Sequence, residues 1–195
     1  MNFVKAKEFI LGKLERELDP TLKYHNIEHT QDVLQCVENL GKMERVNGKD
    51  FTLLKTAALF HDSGMLIQYD DHEEASTRLA TKYLPDFGYT AEDIQVINKM
   101  IMTTRLPQDA TTELEKILCD ADLDYLGRVD FFMIAHRLQY EWNELNVKAT
   151  NLKTWYKLQI EFLENHKYFT GSAKKLRQKK KEQNIKEIKD LLIHN

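Results

Sequence analysis

His61 and Asp62 stand side by side at the end of FTLLKTAALF (51–60), a stretch that is apolar on nearly every side. A titratable pair in that setting needs compensation, because an unpaired charge is costly to bury. A divalent cation supplies it directly, held by a neutral imidazole and an ionised carboxylate. Adjacent helical side chains diverge by about 100°, yet at a helix end both can converge on one ion in the adjoining loop. A buried His–Asp pair at a helix C-terminus is the alternative that needs no ion.

Other rows carry related residue types. In HNIEH, His25 and His29 lie four apart and share a helical face if the turn before them continues the helix, which suits metal ligands or surface polar residues equally. In LCDADLDYLG, Asp120, Asp122 and Asp124 alternate along a segment of core residues. Helical geometry sends Asp120 and Asp124 to neighbouring sides of one face and commits only Asp122 to the interior. The alternative is that Asp120 or Asp124 caps a neighbouring helix and none of the three binds metal. His72, Glu73 and Glu74 open the helix after the His61–Asp62 loop. Acids suit a first helical turn without any catalysis. In the functional reading Glu73 orients or deprotonates an attacking water and His72 protonates the leaving oxygen. Arg105 is the foremost candidate for holding phosphate, followed by Arg128 and Lys148, since a guanidinium matches phosphate oxygens bidentately. His25 joins Arg105 as a candidate substrate-binding residue.

The elements that must position these groups follow from apolar periodicity. Phe3, Ala6, Phe9, Ile10, Leu14 and Leu18 predict a first helix that Asp19-Pro20 stops. After a loop at 24–26, Val33, Leu34, Val37, Leu40 and Met43 form the stripe of a second, closed by Asn47-Gly48. The stretch 51–60 predicts a central helix packed on all sides, followed by a loop and a helix over 72–84 that Pro85 terminates. Thr90 with Asp93 marks the start of the next helix, running to about Thr104. From Thr112, Leu114, Ile117, Leu118, Ala121, Leu123 and Leu126 predict a buried helix ending near Gly127. Residues 130–146 and 151–168 read as aromatic-rich amphipathic helices, and 173–193 as a basic one.

As a set, YHNIEH, ALFHDSG and ILCDADLDYLG resemble the signature of the HD-domain superfamily: a lone His, an adjacent His-Asp, then a later Asp on a separate helix. More narrowly they resemble the bacterial predicted metal-dependent HD phosphohydrolases, which combine YHN..H, FHD, an acidic E-E-A-S helix start, a T-rich helix end and DADL..LG. The resemblance spans roughly residues 24–128. It implies an all-α bundle of the HD type with an ion at its centre, ligated by His29, His61, Asp62 and Asp122. It also implies a phosphohydrolase, for which Asp62, with Glu73 and His72 in the roles read above, is the expected catalytic set. The mixed N/O set accepts Mn²⁺, Fe²⁺, Co²⁺, Ni²⁺, Zn²⁺ or Mg²⁺. Some members hold two metals through further histidines; here His72 is one, but Asn98, Thr103, Thr104 and Arg105 stand where another is expected, which favours one ion. The expected substrate is a phosphomonoester or phosphodiester of a small, nucleotide-like molecule. The alternative is a nucleotide-binding sensor with little or no turnover, motivated by that missing histidine and by Met65 after Gly64, where HD enzymes often have a lysine.

Composition agrees. The 195 residues, 42% hydrophobic, suffice for one domain over 1–195, with a motif-bearing core at about 24–128 and C-terminal helices at about 130–193 packed on it. Three prolines and seven glycines leave little for the turns of an all-β fold. A net charge of −3 gives no global pull towards nucleic acid or acidic membranes. The basic run Lys174, Lys175, Arg177, Lys179, Lys180, Lys181 lacks interleaved aromatics and reads as a solvated face. Cys36 and Cys119 sit in apolar stretches as small buried side chains. Without a continuous apolar run at the N-terminus or a span of about 20 residues elsewhere, a cytoplasmic location is expected.

Overall fold

The structure, a computed structural model, describes residues 1–193. Its regular elements are all helical: α1 (Phe3–Glu17), α2 (Ile27–Met43), α3 (Gly48–Phe60), α4 (His72–Tyr83), α5 (Ala91–Thr103), α6 (Glu113–Asp122), α7 (Phe131–Glu144), α8 (Leu152–Asn165) and α9 (Gly171–Ile193). Single 3-10 turns at Ser63–Leu66, Leu84–Phe87 and Asp124–Gly127 follow α3, α4 and α6. None of the described helices is long and apolar enough to cross a membrane.

Helix α3 is the axis of the main core, touching α1, α2, α4, α5 and α6. Leu53, Leu54, Ala57, Ala58, Leu59 and Phe60 are all buried, each large one stabilising the fold by about 1.5–3 kcal/mol. That run of buried residues delivers His61 and Asp62 to the interior. Around it, α1 turns in Ala6, Ile10 and Leu14, α2 Val33, Leu34, Val37 and Leu40, and α5 Ile94, Ile97, Met100 and Ile101. A second cluster, built on Trp155, Phe131, Leu163 and Ile188, joins α7, α8 and α9 to the turn after α6.

Sequence-predicted helix starts are observed with their chemistry. Thr90 and Asp93 form a reciprocal capping box on α5, and Thr112 and Glu115 form one on α6. Asn26 caps α2 by accepting from the His29 amide at 3.0 Å.

Several boundaries differ from expectation. Helix α2 ends at Met43, which is exposed, and Asn47-Gly48 opens α3 instead of closing α2. Helix α6 stops at Asp122, and the rest of its apolar pattern winds into the tighter turn ending at Gly127. The basic run is not uniformly solvated. Lys181 is buried, its ammonium donating to the carbonyls of Leu163 (3.1 Å) and His166 (2.5 Å), and Arg177 makes a two-pronged pair with Asp124 at 2.6 and 3.0 Å. Helix α9 crosses the chain at Gly127, where a Cβ would meet the Arg177 carbonyl oxygen at 2.4 Å.

Candidate metal centre and its cavity

Four side chains from three helices converge. His29 comes from the first turn of α2, His61 and Asp62 from the end of α3, and Asp122 from the last residue of α6. The Nε2 atoms of His29 and His61 are 3.3 Å apart. Asp122 Oδ1 lies 3.3 Å from the first and 3.6 Å from the second, and Asp62 Oδ2 lies 3.4 and 3.2 Å from them. His61 is fixed in the orientation this requires, with Nδ1–H donating to the Ala58 carbonyl at 2.8 Å, which leaves Nε2 as the nitrogen able to ligate an ion.

The residues fit a divalent ion. Asp62 Oδ2 is buried and accepts no hydrogen bond despite the nearby imidazole nitrogens, as expected of atoms that point at a common centre and not at one another. The ligand atoms of His29, His61 and Asp122 all lie within 4.8 Å of one another, as atoms about 2.0–2.2 Å from one ion must. Protonation tells the same story. Burial pushes the His29 imidazole down, but the carboxylates of Asp122 and Asp62 outweigh it and bring it up to about 8. The same contest lifts His61 well above its ordinary range. Burial raises Asp62, but the facing imidazoles pull it well below the usual carboxylate range, and Asp122 is lowered likewise.

Gly64 brings a second rank of groups to this centre. A Cβ there would meet the His72 carbonyl oxygen at 1.9 Å and the Ser76 nitrogen at 2.6 Å, so only glycine lets α4 lie directly on the turn after Asp62. The Gly64 amide also donates to Ser76 Oγ at 2.7 Å. His72 Nε2 thereby sits 3.4 Å from Asp62 Oδ1 and 3.6 Å from Glu73 Oε1, with its Nδ1 3.0 Å from the Tyr69 carbonyl. Burial lowers His72, but Asp62 and Glu73 raise it further, to about 9.

Other candidates take different places. His25 precedes α2, so the helical face proposed for the His25–His29 pair does not exist; its Nδ1 instead contacts the Glu141 carboxylate. Arg105 is half-exposed, with Nε 3.5 Å from Glu73 Oε2 and Nη2 3.1 Å from Asp71, and does not line the adjoining cavity. Arg128 is engaged by Asp32 and Asp130, and Lys148 is exposed. Asn98 lies away from the centre and donates to Thr81. The expectation that Asp122 alone commits to the interior is reversed. Asp120 and Asp124 are the more deeply buried, because Asp120 accepts from the Phe169 and Thr170 amides and the Thr170 hydroxyl, while Asp124 holds Arg177. Tyr168 is core and Thr170 caps α9, receiving the Ala173 amide.

A cavity of about 520 Å³ opens from Asp62, His72, Glu73 and Asp122 and runs between α7 and α8, past Tyr125, Leu138, Trp142, Leu158 and Phe162. Its size and apolar walls suit a small organic ligand. Two residues here escaped the sequence reading. Glu141 is fully buried and accepts from the Tyr24 amide (2.8 Å), the His25 amide (3.1 Å) and the Tyr69 hydroxyl (2.9 Å), tying α7 to both loops that carry the centre. Gln159 shares the buried face of α8 with Trp155 and Leu163. An acid three residues after Leu138 and an amide midway between buried Trp155 and Leu163 were the available signals.

No curated protein matches the chain. Among solved structures, a predicted HD superfamily hydrolase from an uncultured Thermotogales bacterium superposes with a TM-score of 0.63 at 20% identity, over 98% of this chain and 91% of that one. Bacillus subtilis YpgQ gives 0.67 at 19% identity, over 98% and 96%. The same protein in complex with ADP gives 0.65 at 16% identity, over 97% and 95%. These share the fold. The HD-domain family model matches residues 26–124, which contain all four converging side chains, and the chain therefore belongs to the HD-domain family.

Proposed function

We propose that the chain works as one HD-type domain over its whole length and is a metal-dependent phosphohydrolase of a small nucleotide-like phosphomonoester or phosphodiester. The observation that carries this is the convergence of His29, His61, Asp62 and Asp122 beside an organic-sized cavity that Asp62 and Asp122 line, with Asp62 Oδ2 buried and accepting no hydrogen bond. These four residues would hold one divalent cation, and their mixed N/O character accepts Mn²⁺, Fe²⁺, Co²⁺, Ni²⁺, Zn²⁺ or Mg²⁺. A bound cation supplies charge neutralisation at a phosphoryl group and acidification of water.

The chain's own residues supply the rest. Glu73 lines the cavity within reach of Asp62 and His72 and takes the proton of the attacking water. His72, held at Nδ1 by the Tyr69 carbonyl with Nε2 facing Asp62 and Glu73, delivers a proton to the leaving oxygen. Arg105 stands behind Glu73 and fixes its carboxylate, adding positive charge near the phosphate. His25, oriented by Glu141, lines the cavity as a substrate contact. The ADP complex of YpgQ supports a nucleotide as the ligand class.

The test is phosphate or pyrophosphate release from a nucleotide panel by chelator-treated protein reconstituted with each candidate metal, alongside calorimetric binding. Release with at least one metal is expected. No release with any metal at high protein concentration overturns the hydrolase reading, and tight binding of unchanged nucleotide then assigns a sensor.

A further inference from the structure

Beyond the phosphate-facing end, the cavity is far larger than a phosphoryl group needs, and its wall contains one polar group that the protein leaves idle. Gln159 on α8 is 5% exposed and lines the cavity. Its Oε1 is buried with no hydrogen-bond partner. A buried amide oxygen without a partner is unfavourable in a finished fold and is retained where something else completes it. Around it the walls are Trp142, Tyr125, Phe162, Leu138 and Leu158, flat or aliphatic surfaces that suit a planar ring. Catalytic candidates at one end and an idle amide among aromatics further in match the layout of a nucleotide, with phosphate at the first and base at the second.

We infer that Gln159 is the specificity-determining residue of this site: a nucleobase lies in the cavity and its hydrogen-bonding edge pairs with the Gln159 amide. This rests on the nucleotide-like substrate proposed above. A glutamine amide offers an acceptor and donors side by side, the complement of a base edge with adjacent N–H and N or O groups. A ribose phosphate without a base leaves the amide unpaired and is bound more weakly, as is usual for a site built around a polar partner.

The structural alternative lies one turn earlier on the same helix. The Trp155 indole nitrogen is also buried without a partner, and a small shift of the amide would serve it instead.

Calorimetric titration of the full-length, metal-reconstituted chain with nucleoside 5′-monophosphates of the four common bases and with ribose 5-phosphate separates these, together with thermal melting. At least one nucleotide is expected to bind about tenfold or more tightly than ribose 5-phosphate. In Q159L that advantage falls about tenfold, affinity for ribose 5-phosphate stays put, and the melting midpoint holds or rises because an idle buried amide has been removed. Q159M, unbranched like glutamine, repeats the measurement should Q159L fold poorly. Unchanged nucleotide preference in both variants, or a wild-type chain that does not distinguish nucleotide from ribose 5-phosphate, overturns the assignment. A lowered midpoint with unchanged preference gives Gln159 to Trp155. Gln159-dependent nucleotide binding without any product removes the hydrolase reading and keeps this one; base-indifferent hydrolysis does the reverse.

Discussion

Helix α6 and its following turn contain two kinds of buried aspartate within five residues. Asp120 and Asp124 are fully engaged by the chain itself, the first by two backbone amides and a hydroxyl, the second by the two prongs of Arg177. Asp122, between them, accepts from the Gln108 amide at 3.3 Å and turns its other oxygen to two imidazoles, and its counterpart Asp62 has a buried oxygen met only by imidazole nitrogens, with no hydrogen bond formed. Residue type is shared; depth and completeness are not. A buried carboxylate whose valences the fold fills is part of the framework, and one whose valences it leaves open belongs to a ligand.

The contrast is sharpest under substitution. Asp62→Ala is expected to lower phosphate release by about a thousandfold or more and to abolish metal retention measured by elemental analysis, because it removes both a ligand and the charge that balances the ion. Its metal-free thermal midpoint should fall less than that of Asp124→Ala, because the imidazoles left facing the gap can give up their protons, as a guanidinium cannot. Asp124→Ala should behave oppositely. Stranding Arg177 should cost about 3 kcal/mol, or roughly 6–12 °C of melting midpoint, with metal retained below the transition. Equal loss of stability in both variants breaks the comparison.

Next comes pH. His29 has its proton affinity raised from 6.5 to about 8, against the lowering effect of burial, by Asp122 and Asp62. In chelated protein its charge therefore contributes stability that is fully present below about 6.5 and is lost as pH rises through about 8. A metal must displace that proton, so affinity should climb with pH over the same window, and calorimetry in buffers of different ionisation enthalpy should register protons released at pH 7. Binding that ignores pH from 6 to 8 contradicts this ligand set. Smallest of all, Lys180→Ala removes an outer pair with Glu187 at 3.2 Å and should change melting, metal content and turnover by no more than the about 0.5 kcal/mol of an ordinary surface site.

The fold class was legible because it is a local pattern, and the four converging side chains because the order of their motifs resembles a family signature. Unbroken apolar periodicity gives helices, Thr90 and Thr112 announce their starts, and the His61–Asp62 pair stands out after ten mostly apolar residues. The roles of Asp120, Asp124, Arg177 and Lys181 were not legible, because their partners lie 15 to 53 residues away along the chain. Glu141 reaches His25 across 116 residues, a meeting that no spacing rule anticipates. His25 and His29 failed as a helical pair for a nearer reason: Asn26, in an extended conformation, caps the helix between them.

Glu141 and Gln159 also bear on what counts as the working unit. The span 26–124 that carries the family match includes every side chain proposed to touch the ion, yet it stops short of α7, which clamps both loops, and of α8, which walls the cavity. Cut at 124, the chain would keep its motifs and lose the means of holding them: Asp120 would face empty space, and the His25 and Tyr69 loops would have no common anchor. The part that can be recognised is shorter than the part whose contacts hold it in place, and an excised motif region is expected not to be a miniature of this protein.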